Sequence, residues 1–175
     1  SHVLAYGPDP RFGVPLYGPS SALEAIVGFV DGGRIDEVFD VTPLEDGDRV
    51  TIGSLILSVA VTDHSVDTLA SRWETDHRSL CYSADTGPAG DWMRLVKDVD
   101  LFLCEATYQG EPGVAEYPHH LTASEAGSIA RAAGAKQLML THIPPHLDPA
   151  RSVMEAEATF DRPVGLAVPG VSTTL

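Results

Sequence analysis

The sequence predicts a mixed α/β sandwich whose helices lie outside its sheets. Two observations of order lead there: the first half reads mostly as strands, and the second half alternates helix with strand. Chains of that order bury the apolar faces of their sheets under helical layers. The third observation is size, since 175 residues with 43% hydrophobic content suit one buried core. A single domain over residues 1–175 is therefore expected, and no repeat, low-complexity tract or linker interrupts it.

Val14–Tyr17 reads as a short strand, and Ser20–Val30 as a helix capped by Ser20 or Ser21. Glu37–Val41, Val50–Ile52 and Leu55–Thr62 are apolar runs of strand length. The turn formers Glu45-Asp46-Gly47-Asp48 and Gly53-Ser54 punctuate them. Leu69–Trp73 and Ser79–Ser83 flank Glu74-Thr75-Asp76-His77-Arg78 and predict a hairpin. Helices follow at Ala89–Lys97, Thr122–Ala133 and Pro149–Phe160, with strands at Leu101–Glu105, Gln137–Thr141 and Val164–Val168. Thr122-Ala123-Ser124-Glu125 has the form of a capping box, which accounts for Thr122 and Glu125 without any chemistry.

Charge narrows the partners. The chain carries 25 acidic and 11 basic residues, a net charge of −14, and the basic ones form no cluster. Nucleic-acid binding draws much of its affinity from Lys and Arg that displace counterions, so a large RNA partner is disfavoured. A compact anionic substrate held by metal ions needs no basic surface. No apolar run approaches the ~20 residues that span a bilayer, and no membrane partner is expected. The N-terminus has no basic-then-apolar signal-peptide pattern. Cys81 and Cys104 lie in apolar strand-like stretches and read as buried reduced thiols, which fits a cytoplasmic setting.

The run Ser83-Ala84-Asp85-Thr86-Gly87-Pro88 places a lone carboxylate at a strand tip on a Gly-Pro turn. Downstream come Cys104-Glu105-Ala106-Thr107, His119-His120-Leu121-Thr122 and Leu140-Thr141-His142. Each acidic or imidazole group stands where an apolar strand gives way to a polar turn. Several in this order point to a metal site assembled from strand-end loops. A carboxylate such as Asp85 can bridge two cations roughly 3.5–4 Å apart. Read alone, however, an Asp such as Asp85 is more often an Asx-turn residue, and strand-end histidines such as His64 and His142 are more often surface residues. His146, on a Pro-Pro turn, reads as structural or exposed. Arg72 either contacts a phosphate or is an exposed strand arginine.

Order and context together resemble the metallo-β-lactamase superfamily, in its ribonuclease Z-like phosphodiesterase branch. Thr62-Asp63-His64 matches that branch's strand-end histidine, and Ser83-Ala84-Asp85-Thr86 its S-G-D-T turn with Ala for Gly. Cys104 to Thr107 matches its C/H-E-A-T/S segment, His120 to Thr122 its H-x-T/S segment, and Thr141-His142 its T-H strand end. The resemblance runs from about Leu16 to the C-terminus. It implies an αββα sandwich and two divalent metal ions, zinc first and manganese or iron as alternatives. Asp85 would bridge the metals, and His64 and His142 would each serve one of them. Glu105 would orient His120, which contacts the scissile phosphate or protonates the leaving oxygen. Arg72 and Thr122 would touch substrate.

The H-x-H-x-D-H cluster of the branch has no counterpart here. The expectation is thus the C-terminal two-thirds of the domain, with too few donors to hold two metals or turn over alone. The implied activity is hydrolysis of a small phosphodiester such as a cyclic nucleotide. The alternatives are tRNA 3′ processing of the ribonuclease Z type and a non-catalytic scaffold. Relatives are often dimers, which leaves a homodimer open without the sequence deciding it.

Overall fold

The computed structural model describes residues 11–29, 38–111 and 118–174. The chain divides into two compact units, Ser1–Glu45 and Asp46–Leu175. In the first, β1 (Val14–Gly18), α1 (Ser20–Phe29) and β2 (Phe39–Pro43) form a β–α–β crossover with parallel strands. The register pairs Val14 with Phe39 and Gly18 with Pro43, so β2 begins two residues later than the sequence suggests. Val30 and Glu37, the ends of two predicted elements, lie outside the described residues.

The second unit is built on a seven-stranded sheet in simple sequential order. Its strands are β3 (Arg49–Ile52), β4 (Leu55–Val61), β5 (Leu69–Glu74), β6 (Ser79–Tyr82), β7 (Leu101–Glu105), β8 (Gln137–Thr141) and β9 (Val164–Leu166). From β3 to β6 neighbours are antiparallel, and from β6 to β9 they are parallel. The switch follows from the connections. Short turns join the antiparallel strands, whereas α2 (Ala123–Ala132) and α3 (Pro149–Phe160) carry the chain back between β7, β8 and β9. The predicted hairpin closes through Thr75, whose N–H donates to the Arg78 carbonyl at 2.9 Å. Leu101, Phe102, Cys104, Leu138 and Leu140 on the parallel strands are buried. That is the pattern of a sheet covered on both faces.

The segment predicted as a helix over Ala89–Lys97 is instead a 3-10 turn over Trp92–Val96. Gly90 adopts φ +91 and Asp98 φ +55, conformations that stop a helix on either side. Trp92 is buried there against Phe102. Burial pushes the Cys81 thiol up to about 12 and raises Cys104 well above its ordinary value, so both stay protonated free thiols.

Asp100 ties β6 to β7. Its Oδ1 accepts from Lys136 Nζ at 2.8 Å and its Oδ2 from the Ser79 N–H at 2.8 Å. Lys136 first, then the Ser79 bonds, hold its pKa down at about 2. A carboxyl depressed from an unfolded value of about 3.9 stabilises the fold above that pH and stops doing so as pH falls toward 2. Asp100→Asn should therefore destabilise the protein near pH 6, with the deficit shrinking below pH 4 towards zero near 2. Urea titrations of both proteins at several pH values check this; a deficit that does not change with pH would contradict it.

One edge of the sheet collects the polar groups. β4 and β6 are each antiparallel to β5, and β6, β7 and β8 are mutually parallel. The C-terminal ends of β4, β6, β7 and β8 therefore emerge on the same side, the side where open α/β sheets place ligands.

Candidate metal centre

His64 follows β4, Asp85 follows β6, Glu105 ends β7, and His142 follows β8. His120 arrives from the loop ahead of α2. The Asp85 Oδ1 stands 3.4 Å from His142 Nδ1. Donor atoms of His64, Asp85 and His120 lie within 4.8 Å of one another, and so do those of Glu105, His120 and His142. The His120 ring centroid is 5.2 Å from that of His64 and 5.5 Å from that of His142. Asp85 and His120 thus each reach both flanking histidines.

Glu105 is fully buried, and its carboxylate is met by donors instead of a cation. Oε1 accepts from the Thr86 N–H at 2.7 Å and from His120 Nδ1 at 2.9 Å. Oε2 accepts from the Thr107 hydroxyl at 2.7 Å and from the Thr107 and Leu121 N–H groups at 3.3 Å. A buried anion so engaged has little left to offer a metal. It fixes the tautomer of its neighbour instead. With Nδ1–H of His120 donated to Glu105, Nε2 is the ring nitrogen left to take or give a proton.

The Thr107 hydroxyl extends this logic. Having donated to Glu105, it can only accept, and His142 Nδ1 lies 3.0 Å away. His142 then presents the lone pair of Nε2, the nitrogen free to bind a cation. Burial raises the pKa of the neighbouring Tyr82, with Asp85, Glu105 and Cys104 adding to it, and keeps its hydroxyl protonated.

Asp85 is about one-third exposed and has no lysine or arginine partner among the described residues. An accessible carboxylate between imidazoles fits a divalent zinc, manganese or iron ion. The backbone around it is unusual. Ala84 and His142 both adopt left-handed φ, at +52 and +56, and strain of this kind gathers at ligand sites. Ala84→Gly should relieve about 1 kcal/mol of it, visible as a higher denaturation midpoint; no gain would mean that the turn is unstrained.

The structure brings His64, Asp85, Glu105, His120 and His142 together at one sheet edge, and His120, not His119, meets Glu105. Arg72 is not brought there. Its guanidinium donates to the Leu95 and Lys97 carbonyls at 2.9 and 2.6 Å and pairs with Glu74 at 2.9 Å. It sits mid-strand on β5, held against the end of the 3-10 turn. Thr122 is also taken up locally: it is the buried N-cap of α2, and its hydroxyl accepts from the Glu125 N–H and donates to the Glu125 carboxylate. Its side chain is fully buried and offers no surface to a substrate. Sequence reasoning gave no role to Thr107 or Asp63, although both stand inside the quoted segments.

Residues 5–143 match the family described as Beta-lactamase superfamily domain. The chain belongs to that family. Its fold is the metallo-β-lactamase fold, seen in the Bacillus subtilis protein YhfI with a TM-score of 0.78 at 24% identity, over 90% of this chain and 63% of that one. An uncharacterized Mycobacterium tuberculosis protein is 37% identical over 161 residues, 87% of this chain and 58% of its own length. A ribonuclease Z of Myxococcus xanthus is 36% identical over 101 residues, 56% of this chain and 33% of its own. The chain thus spans a little over half the length of its M. tuberculosis relative. Family members are metal-dependent hydrolases. Among the described residues, no helix is long and apolar enough to cross a membrane.

Proposed function

We propose that this chain carries one part of a metal-dependent phosphodiesterase site acting on a small phosphodiester such as a cyclic nucleotide. The observation that carries the reading is the buried Glu105–His120 pair, 2.9 Å apart, at the margin of the His64–Asp85–His142 cluster. His64, Asp85 and His142 would hold the metal ions, zinc foremost. Such ions, when bound, neutralise charge on a phosphoryl group and lower the pKa of a water. The chain's own contribution is positional. Glu105 holds the His120 ring still with Nδ1–H donated to it, so Nε2 is the nitrogen that would first take up a proton and then pass it to a departing alkoxide. The net charge of −14 favours a compact substrate over RNA.

A specific observation favours a second reading. The ribonuclease Z relative, at 36% identity, supports tRNA 3′ processing. A third, a scaffold without turnover, follows from the donor count: one bridging carboxylate and an imidazole on either side are few for two ions. In either enzymatic reading these 175 residues alone are expected to be nearly inactive.

The test compares these residues with the same chain extended by whatever is encoded upstream of Ser1. Each is assayed with bis-p-nitrophenyl phosphate, 3′,5′-cyclic AMP and a precursor tRNA in zinc or manganese. Turnover of the two small diesters by the extended protein is the expected result. Preferential cleavage of the tRNA would overturn the substrate, and an extended protein with neither bound metal nor turnover would favour the scaffold.

A further inference from the structure

A second carboxylate–imidazole pair, Asp63 and His119, stands beside the first, and the metal-donor groups make no use of it. His119 Nδ1 is shielded from solvent and makes no hydrogen bond, although Asp63 Oδ1 is 3.7 Å away. A buried ring nitrogen left unpaired costs desolvation, which closure onto that oxygen, directly or through one water, recovers. Asp63 is itself pinned to the 86–89 turn. Its N–H donates to Thr86 Oγ1 at 3.2 Å, its carbonyl accepts from the Gly87 N–H at 2.7 Å, and Oδ2 accepts from the Ala89 N–H at 3.3 Å. One carboxylate oxygen is thereby anchored and the other is offered to His119.

Gly87 supplies the room. A Cβ at that position would overlap the Pro118 carbonyl oxygen and come within 2.6 Å of Asp63 Oδ2. Its φ is not among the positive ones, so space and not backbone freedom is what requires glycine. The loop bearing His119 and His120 is therefore seated directly on the Asp63–Gly87 turn.

We propose that Asp63 is a positioning residue for His120, acting through His119, with Gly87 as the gap that lets the loop seat. It rests on the reading above, in which His120 faces the substrate. Proton and nitrogen NMR of the histidine side chains tests it without any turnover. The wild-type chain should show a slowly exchanging, downfield Nδ1–H signal from His120 bonded to Glu105. Asp63→Leu and Gly87→Ala should each lose or broaden that signal, whereas Asp63→Asn, which keeps an acceptor, should retain it. If Asp63→Leu does not fold, His119→Leu leaves the bonds within the turn intact and should lose the signal equally. An unchanged His120 signal in a folded Asp63→Leu or His119→Leu protein would overturn the proposal.

In a catalytically competent extended protein, kcat with bis-p-nitrophenyl phosphate should fall about 10- to 100-fold in Asp63→Leu, the order that a misplaced group costs, while KM holds. An unchanged kcat there would also overturn it. Loss of the signal in a protein that never hydrolyses phosphodiesters would uphold the positioning and sink the functional reading instead.

Discussion

Glu105→Ala is expected to lose on the order of 4 kcal/mol of folding stability, because it strips a partner from several buried groups at once. The N–H groups of Thr86, Thr107 and Leu121 all point at this one carboxylate, together with the Thr107 hydroxyl and His120 Nδ1. No water-facing route exists for a side chain that is 0% exposed. Glu105→Gln should cost less, since it keeps the volume and one acceptor. Its amide nitrogen must nevertheless face donors on one side, so recovery should be incomplete. Urea unfolding of the three proteins measures the order. A Glu105→Ala protein as stable as the parent would mean that the donors find water and that the pair is peripheral.

Asp85→Ala is expected to have the largest effect on the site and little on the fold. Its carboxylate is partly exposed and lies between His64 and His142, so removing it takes the accessible carboxylate from both imidazoles. Divalent affinity should fall by more than the roughly 10- to 100-fold that outer partners of ligands cost. Turnover of the extended protein should vanish with the metal. Calorimetric titration with zinc or manganese reads the first effect, and unchanged affinity would remove Asp85 from the donor set.

Much of this was legible in the residues. The strand alternation after Asp85 located β7, β8 and α3 to the residue, because buried parallel strands are short apolar runs bounded by turns and caps. Thr122 and Glu125 announced the start of α2 for the same kind of local reason. The helix expected over Ala89–Lys97 failed where backbone conformation at Gly90 and Asp98, which composition does not display, cut it to one 3-10 turn. β2 was displaced because its bounds are set by pairing with β1, a partner far away in sequence. At the site, strand-end position marked His64, Asp85, Glu105 and His142 as candidates, and the family resemblance favoured them over Asx-turn and surface readings. Arg72 stands apart from the site because a mid-strand arginine can turn to any nearby carbonyl, and here Leu95 and Lys97 claim it. Thr107 escaped notice because a hydroxyl gains its meaning only from the three side chains around it.

Labour divides between residues that hold metal and a histidine kept for the substrate, although His120 donor atoms lie within reach of both donor groups. Calorimetric metal titration of His120→Ala tests that division most directly. His120→Ala should lower divalent affinity by less than about tenfold, short even of the effect of an outer partner, while abolishing most turnover in the extended protein. Loss of affinity as severe as in Asp85→Ala would make His120 a metal ligand and contradict that division.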